Sequence, residues 1–300
     1  MVSGPSDNLA EYQALRDELG RIAYRMLGSL ADVDDVLQEA YLRWSRVDLK
    51  EVESPRAFLI SIVTRLCIDR RREIDIRKEH YPGPWLPEPI VTSSQGAGVP
   101  VERDESVSLA FLYVLERLTP VERAAYLLRK VFDFEYAELS SILDKSVDNC
   151  RQIVSRAETR VMEGRPRFTP SSQDVSDLSE RFLAACASGD LQGLLSILRS
   201  DAELISDGGG KATAARRPIL GADAIARFFL GIFRKAPPGG RAERIEVNGQ
   251  PGLALLVGTA MVGIYAFDVE EGQIRGIYVI RNPDKLVRAS IGGPTGESGA

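Results

Sequence analysis

The sequence is poor in the residue types that build most metal and catalytic sites. It contains one histidine, His80, and three cysteines that lie far apart, Cys67, Cys150 and Cys186. Their spacing fits neither a metal-binding motif nor a disulfide framework, so we expect buried thiols in a reducing compartment. The sequence therefore predicts no metal, no cofactor and no catalytic residue, and we do not expect an enzyme.

Long apolar runs are absent as well. No stretch reaches the length of about 20 apolar residues that a helix needs to cross a bilayer. The first residues have neither the basic start nor the apolar core of a signal peptide. With 44% hydrophobic and 27% charged residues, the composition is typical of a soluble globular protein. We therefore expect a cytoplasmic protein that has no membrane partner.

The net charge of −5 argues against a protein that coats nucleic acid, but two segments are basic. The first contains Arg56, Arg65, Arg70, Arg71, Arg72, Arg77 and Lys78. The second contains Lys145, Arg151, Arg156, Arg160, Arg165 and Arg167. Two basic segments in an acidic chain predict two separate contacts with a polyanion. The alternative is a pair of solvated helix faces, and the charges alone favour that alternative.

Two breaks in composition divide the chain. Four prolines lie between residues 81 and 89, a segment rich in glycine and serine follows them, and a second break covers residues 164–172. Sequence so rich in proline excludes a helix and favours an extended path. The predicted segments are 1–79, a linker over 80–107, 108–163, 174–286 and a tail over 287–300.

The segments on either side of the linker are predicted to be helical. In the first segment, Asp32 is expected to cap a second helix, and Ser54 a third helix that carries the arginines. After the linker, a short helix over 136–143, a turn, and a longer basic helix capped by Ser146 make a helix-turn-helix pattern. Many three-helix bundles share this pattern, so it indicates DNA binding only moderately.

The segment after the second break predicts an α+β domain. Its pattern indicates helices over 177–188, 191–198 and 222–233, a strand over 202–206, and four strands in series over 241–247, 253–258, 261–268 and 273–279. The short turns between the last four strands predict an antiparallel meander. We expect a curved sheet wrapped on helices, with room for a small ligand.

Several segments resemble the bacterial sigma-70 family. Residues 32–44, with the sequence DVDDVLQEAYLRW, resemble sigma region 2, as do the flanking segments 23–28 and 54–70. Residues 118–129 and the helix-turn-helix resemble region 4. No segment between them resembles region 3, which is typical of the extracytoplasmic-function (ECF) class.

The α+β segment resembles the SnoaL-like fold, which is a cone-shaped curved sheet with helices. ECF sigma factors that carry such a domain are also marked by three short motifs, which stand here as Trp85–Pro89, Asp207–Lys211 and Asn282–Leu286. The combination is more specific than any one motif. The resemblance covers nearly the whole chain. It implies a multidomain protein with an all-α region 2 and a helix-turn-helix region 4, followed by an α+β SnoaL-like domain.

The resemblance implies two partners, core RNA polymerase and promoter DNA. The second helix would bind the clamp of the polymerase β′ subunit, and region 4 would bind the β flap. The docking face consists of Asp35, Gln38, Glu39 and Leu42, which share one side of a helix by their spacing. Contacts with the −10 element are assigned to Arg56, Arg65, Arg70, Arg71 and Arg72. Contacts with the −35 element are assigned to Asp148, Asn149, Arg151, Gln152, Ser155 and Arg156.

The three short motifs are expected to make regulatory contacts between domains. The linker motif, Trp85, Leu86, Pro87, Glu88 and Pro89, presents an apolar pair that should dock rather than stay in water. The expected counterparts are the glycine loop of Asp207, Gly208, Gly209, Gly210 and Lys211, and the final motif of Asn282, Pro283, Asp284, Lys285 and Leu286. By resemblance, the C-terminal domain replaces a separate anti-sigma factor and modulates activity.

The alternative is a SnoaL-like enzyme or small-ligand sensor for which the helical part is a targeting module. Acid–base catalysis in such a pocket generally needs a positioned His, Asp, Glu or Tyr. The histidine lies in the linker, which leaves Asp207 and Lys211 as a candidate pair. The three glycines between them indicate a sharp turn or a close contact, so we favour a contact role for this loop.

Overall fold

The computed structural model describes residues 5–92, 107–163, 171–235 and 239–290. It divides into a helical unit, Met1–His80 with Val114–Arg165, and a C-terminal unit, Tyr81–Tyr113 with Pro166–Ala300. The described residues of the predicted linker from Tyr81 onward belong to the C-terminal unit. The rest of the linker and most of the predicted tail lie outside the described residues.

The helical unit is built from two groups of helices. The first group is α1 (Pro5–Leu27), α2 (Leu30–Trp44) and α3 (Pro55–Glu79), with a short 3-10 turn over Leu49–Glu51. The second group is α4 (Leu109–Leu115), α5 (Pro120–Lys130), α6 (Tyr136–Leu143) and α7 (Val147–Met162). Helix α4 crosses the boundary between the units. The predicted helix-turn-helix is confirmed by α6, its turn and α7.

Cap residues fix where these helices begin. Ser54 and Ser146 accept hydrogen bonds from backbone amides of α3 and α7, as predicted from the sequence. The predicted cap of α2 is wrong, because Ser29 is its N-cap and accepts from the amide of Asp32 at 3.4 Å. Asp32 lies instead in the first turn, where a carboxylate interacts favourably with the helix dipole.

Besides the start of α4, the described part of the C-terminal unit combines four helices with one mixed sheet. The helices are α8 (Ser172–Ser188), α9 (Leu191–Ile197), α10 (Ala222–Phe233) and α11 (Pro283–Ser290). The strands are β1 (Val91–Thr92), β2 (Leu198–Asp207), β3 (Ile219–Leu220), β4 (Gly240–Val247), β5 (Gln250–Val257), β6 (Ala260–Glu270) and β7 (Gln273–Ile280). Within the described residues their order is β1-β4-β5-β6-β7-β2-β3. The predicted meander of β4 to β7 is confirmed, and β2 joins it parallel to β7.

The two faces of this sheet bury different side chains. On the face covered by α8, α9 and α10, the rings of Phe182, Phe229 and Phe267 pack together, with Phe182 at 4.8 and 5.5 Å from the other two. These rings lie in the hydrophobic core on this side of the sheet. The other face buries Leu86 of the linker and Leu109 of α4 against the strands. The linker is therefore part of a core of the C-terminal unit.

The described residues lack two features that mark other classes of protein. No helix in this part of the chain is both long and apolar enough to cross a membrane. The same residues contain no group of three or more His, Cys, Asp or Glu side chains placed to hold a metal ion.

Candidate functional site

Helix α7 presents one exposed polar face. Asp144 ends α6 in the left-handed region, with φ of 53°, and Ser146 accepts from the amide of Asn149 at 3.3 Å to start α7. Buried Cys150 and Ile153 hold the opposite side of the helix. The exposed face carries all six residues that the sequence assigned to the −35 element: Asp148, Asn149, Arg151, Gln152, Ser155 and Arg156.

The predicted polymerase face on α2 is also exposed. Its members are Asp35, Gln38, Glu39 and Leu42. Asp35 pairs with Arg70 at 2.9 Å, and Glu39 pairs with Arg43 at 2.9 Å. Exposed pairs of this kind typically contribute less than about 1 kcal/mol, so a binding partner can replace them readily.

Four of the five arginines predicted for the −10 element are not buried, and three of these pair with acids of the first group of helices. Arg72 pairs with Asp69 of the same helix at 2.7 Å. Arg70 pairs with Asp35 of α2 at 2.9 Å. Arg56 pairs with Glu18 at 2.5 Å and lies 5.2 Å from the ring centre of Phe134. Arg70 also pairs with Glu73 at 3.1 Å, and its Nε lies 3.5 Å from the carboxylate of Asp32. All three guanidinium groups remain partly exposed to solvent.

The other two arginines, one exposed and one buried, donate hydrogen bonds to the second group of helices. Arg65 donates to the carbonyls of Ser141 and Ile142, both at 3.1 Å, near the end of α6. Arg71 is 1% exposed and donates to Glu116. Arg71, which was assigned to the −10 element by resemblance, is therefore buried in this structure. The reason is the packing of α3 against α5 and α6, which no local pattern on α3 reveals.

Glu116 is the centre of a buried charge cluster. Its carboxylate accepts from Arg71 at 2.9 and 2.5 Å and from Arg123 at 2.8 Å. Lys78 also donates to it. Arg123 is fully buried, and its Nε donates to the carbonyl of Arg25 at 2.8 Å. These residues, called the Glu116 cluster below, join α1 and α3 to α5.

Burial and the neighbouring charges shift the pKa values of this cluster. Burial opposes ionisation of Glu116, but Arg123, Arg71 and Lys78 together lower its pKa well below the usual value. Burial also lowers the pKa of Lys78 to about 8 and that of Arg123 to about 10. The carboxylate thus stays charged. Together with Asp75, which accepts from Arg71 at 2.9 Å, it compensates the buried cations.

The three short motifs meet at Asp207, which is fully buried. Its Oδ2 accepts from the amide of Leu86 at 2.9 Å and from Nζ of Lys285 at 2.7 Å. Its Oδ1 accepts from the Tyr81 hydroxyl at 2.5 Å and from the amide of Gly209 at 3.0 Å. Each motif therefore supplies at least one polar group to the same buried site.

Lys285 is the second buried charge of this site. It is 3% exposed, donates to the carbonyl of Leu86, and lies 3.4 Å from the ring centre of Trp85. The ring of Tyr81 packs against Trp85 with centroids 4.9 Å apart. Burial and the adjacent Asp207 carboxylate raise the pKa of Tyr81, so its hydroxyl remains a donor. An acid, a carbonyl and two aromatic rings thus compensate the ammonium group.

Two glycines of the Asp207–Lys211 loop allow the linker and the final motif to pack closely against that loop. Gly209 and Gly210 have φ of 59° and 70°. A Cβ at Gly209 would lie 2.5 Å from the Asn282 side chain, and one at Gly210 would lie 2.6 Å from Pro82. Asn282 also donates to the Tyr81 hydroxyl at 2.9 Å. These distances account for the glycine run. Tyr81, Leu86, Asp207, Asn282 and Lys285 are called the Asp207 cluster below.

The remaining motif residues surround the cluster. In the linker motif, Pro87 and Pro89 are buried and Glu88 is half-buried. The linker then continues to β1: Ile90 exchanges two hydrogen bonds with Asn248, at 2.8 and 3.1 Å, before β1 pairs with β4. The linker is thereby fixed to the sheet from Tyr81 to Thr92. Of the other motif residues, Gly208 and Leu286 are buried. Lys211, Pro283 and Asp284 are exposed.

The sequence reasoning missed residues that complete both clusters. Tyr81 precedes the first linker proline, and its position next to the motif was the signal available for it. Glu116 and Arg123 lie in ordinary helical sequence, where a buried charge has no local mark. Asn248 sits in a hairpin turn with φ of 52°, a conformation that asparagine tolerates.

The chain is similar to known proteins over most of its length. The family model for Sigma-70 region 2 matches residues 12–75, and that for Sigma-70, region 4 matches residues 108–161. The chain is 35% identical to the ECF RNA polymerase sigma factor SigJ of Mycobacterium tuberculosis, over 94% of each chain. It is 29% identical to the probable ECF RNA polymerase sigma factor SigI, over 95% of this chain and 97% of that protein. The crystal structure of M. tuberculosis SigJ matches with a TM-score of 0.77 and 33% identity, covering 95% of this chain and 99% of that one.

A helix-turn-helix with an exposed polar face, preceded by a helical part with an acidic face, defines a DNA-binding transcription protein. The chain belongs to the ECF RNA polymerase sigma factors, which direct promoter-specific initiation of transcription. Its partners are core RNA polymerase and promoter DNA. The predicted fold class is confirmed, with helical regions 2 and 4 followed by an α+β domain that contains a curved mixed sheet.

Proposed function

We propose that the C-terminal unit regulates this sigma factor by holding the linker that joins region 2 to region 4. The observation that carries the proposal is the Asp207 cluster, in which a buried carboxylate is satisfied by linker groups and by Lys285. The chain enters the C-terminal unit at Tyr81 and leaves it at Tyr113. Whatever holds this segment therefore limits how far regions 2 and 4 can separate.

The required separation is large. The −10 and −35 elements are about 25 base pairs apart, which is about 85 Å at about 3.4 Å per base pair. A compact unit of the length of the helical unit has a radius of gyration of about 14 Å. It cannot reach both elements while it stays closed. A released Tyr81–Tyr113 segment can extend to about 110 Å, which is enough to span them.

The Glu116 cluster is the contact that keeps the helical unit closed. It joins region 2 to region 4 through α3 and α5, and Arg65 adds hydrogen bonds to the end of α6. Arg65 and Arg71 are thus bound to region 4 in the closed unit and free to meet DNA only after opening. In this proposal, polymerase docking opens the unit and the linker leaves the Asp207 cluster.

The predicted docking and reading surfaces keep their roles in the proposal. The α2 face binds the β′ clamp, and region 4 binds the β flap. The α3 arginines act at the −10 element, and the exposed face of α7 acts at the −35 element. The protein works in the cytoplasm, where it meets polymerase. A small ligand in the C-terminal domain would act by shifting the hold on the linker.

Reversing the charges of the α2 face should abolish most binding to core polymerase. In the variant Asp35→Arg with Glu39→Arg, we expect binding to be weaker by about ten- to hundredfold, because two like charges would replace complementary ones. Both side chains are solvent-facing, so the fold should persist. Titration of labelled protein with core polymerase measures the effect.

The matched control reverses two exposed acids in the C-terminal unit, Asp177 and Asp223. Asp223 pairs with Arg227 four residues later, just as Glu39 pairs with Arg43. This double variant has the same change in net charge. Its affinity for core polymerase should stay within about twofold of the wild-type value, since these exposed acids lie outside the docking face. Equal losses in the two double variants would contradict the assignment of the α2 face.

Base readout at the −35 element should depend on α7. Replacing Arg151 or Gln152 by alanine should cost about 1–3 kcal/mol of discrimination at single base positions, since each can make a bidentate base contact. Replacing exposed Arg72 should weaken binding evenly across sequences and reduce its salt dependence. Holoenzyme selection from a promoter library measures both, and an unchanged −35 preference in both α7 variants would show that the register of the reading face is wrong.

Transcription with purified components tests the function as a whole. Full-length protein with core polymerase should produce transcripts that start downstream of a shared pair of promoter elements. Turnover of a small molecule in the absence of polymerase would instead favour the SnoaL-like enzyme. The packed aromatic rings of the C-terminal unit weigh against that alternative.

A further inference from the structure

One aromatic ring in region 4 contacts two guanidinium groups. The Cζ of Arg129 lies 5.2 Å from the ring centre of Tyr136, and that of Arg151 lies 5.5 Å from the same centre. Arg129 comes from the last turn of α5, Tyr136 is the first residue of α6, and Arg151 is in the second turn of α7. The ring thus connects all three helices at the start of the reading face.

We propose that Tyr136 is a positioning residue for −35 recognition, whose ring holds the Arg151 guanidinium in place to read a base. The proposal rests on the function proposed for α7 and adds a residue to it. Arg151 is exposed and unbranched, so its side chain would otherwise sample many rotamers. Its second restraint is Asp148, whose Oδ1 accepts from Nη1 at 2.8 Å. A ring and a carboxylate together fix both the plane and the direction of the guanidinium group.

Tyr136 is itself well fixed. It follows Glu135, the N-cap of α6, and the capping box that Glu135 forms with Glu138 sets the start of the helix. Arg129 lies over the ring and also donates to the carbonyl of Phe134 at 3.3 Å. The backbone before the ring and the cation over it are therefore both anchored to region 4.

This arrangement matters because guanine recognition by arginine is bidentate and depends on geometry. An arginine that is already oriented loses less side-chain freedom when it meets the base. The contribution of an exposed cation–ring contact corresponds to about a two- to fivefold change in affinity. We expect that change to appear at the one base that Arg151 reads and not as a general loss of DNA binding.

The experiment compares Tyr136→Leu, Tyr136→Phe and Arg151→Ala in the full chain with core polymerase. A library randomised at the −35 element is selected with each holoenzyme, and relative affinity is measured at each base position. Tyr136→Leu should reduce preference about two- to fivefold at the position that Arg151→Ala affects. Tyr136→Phe keeps the ring and should retain the wild-type preference. Urea unfolding of each variant shows whether region 4 remains folded.

The outcomes separate this inference from the function on which it rests. If Arg151→Ala changes the base preference and Tyr136→Leu does not, the positioning role is overturned and the −35 assignment stands. If Tyr136→Leu lowers affinity equally for all sequences, its role is structural and the inference is also overturned. If Tyr136→Phe loses the preference as leucine does, the hydroxyl acts and not the ring. If none of the three changes the preference, the assignment of α7 fails first.

Discussion

Replacing Lys285 by methionine should lower the free energy of unfolding of the C-terminal unit by about 3–5 kcal/mol. Methionine keeps much of the apolar stem, but it leaves the Asp207 carboxylate buried without its counter-charge. The remaining donors, from Tyr81, Leu86 and Gly209, bind the carboxylate without neutralising it. Urea unfolding measures the loss. Hydrogen exchange at the Leu86 amide should report release of the linker in the same variant.

The matched control is Lys211→Met. Lys211 pairs with Asp284 at 2.6 Å, and this pair joins the same glycine loop to the same final motif. The two side chains are 57% and 62% exposed, so the loss should be below about 1 kcal/mol. The two variants differ mainly in burial. Equal effects on stability and on Leu86 exchange would show that the Asp207 cluster does not hold the linker.

Replacing Glu116 by glutamine should open the helical unit. Glutamine has nearly the same shape, but it leaves Arg71, Lys78 and Arg123 without their shared carboxylate. Removing one partner of a buried ion cluster costs about 3–5 kcal/mol. Because these cations come from both region 2 and region 4, the closed arrangement should lose that stability. We expect a larger radius in small-angle scattering with helix content retained, and stronger binding to promoter DNA without polymerase.

Glu122→Gln is the control for this change. Glu122 is also buried and ion-paired, but its partner Arg160 and its capping partner Thr119 both belong to region 4. Its loss should weaken region 4 without changing the separation between regions 2 and 4. If Glu122→Gln expands the molecule as much as Glu116→Gln does, the Glu116 cluster is not what holds the unit closed.

Local sequence patterns predicted most of the elements because their periods and caps are local. The start of α3 at Ser54, the turn before Ser146 and the four-stranded meander all follow from residues that are neighbours in the chain. The pairing of β2 with β7 did not follow, because that contact joins strands separated by a helix and four other strands. The two-residue strands β1 and β3 are too short to show a period.

The candidate sites also contain some features that local sequence predicts and others that it does not. The faces of α2 and α7 follow from helical spacing, and the structure leaves both exposed. The motif segments were expected to meet, but the buried pairing of Asp207 with Lys285 depends on folding that brings distant residues together. Local sequence does not reveal the burial of Arg71. Its neighbours Arg70 and Arg72 are basic and not buried, and only the packing of α5 shows that Arg71 is buried beside Glu116.

The distance between regions 2 and 4 tests the central claim most directly. Glu73 in α3 and Glu163 just after α7 are both exposed. Replacing each by cysteine gives two sites for a pair of fluorescent labels, and the native cysteines are buried and should not react. In the free protein the account predicts a short distance. In the complex with core polymerase and promoter it predicts a distance that approaches the separation of the two elements, about 85 Å. A free protein that is already extended, or a transcribing complex in which the labels stay close, would contradict it.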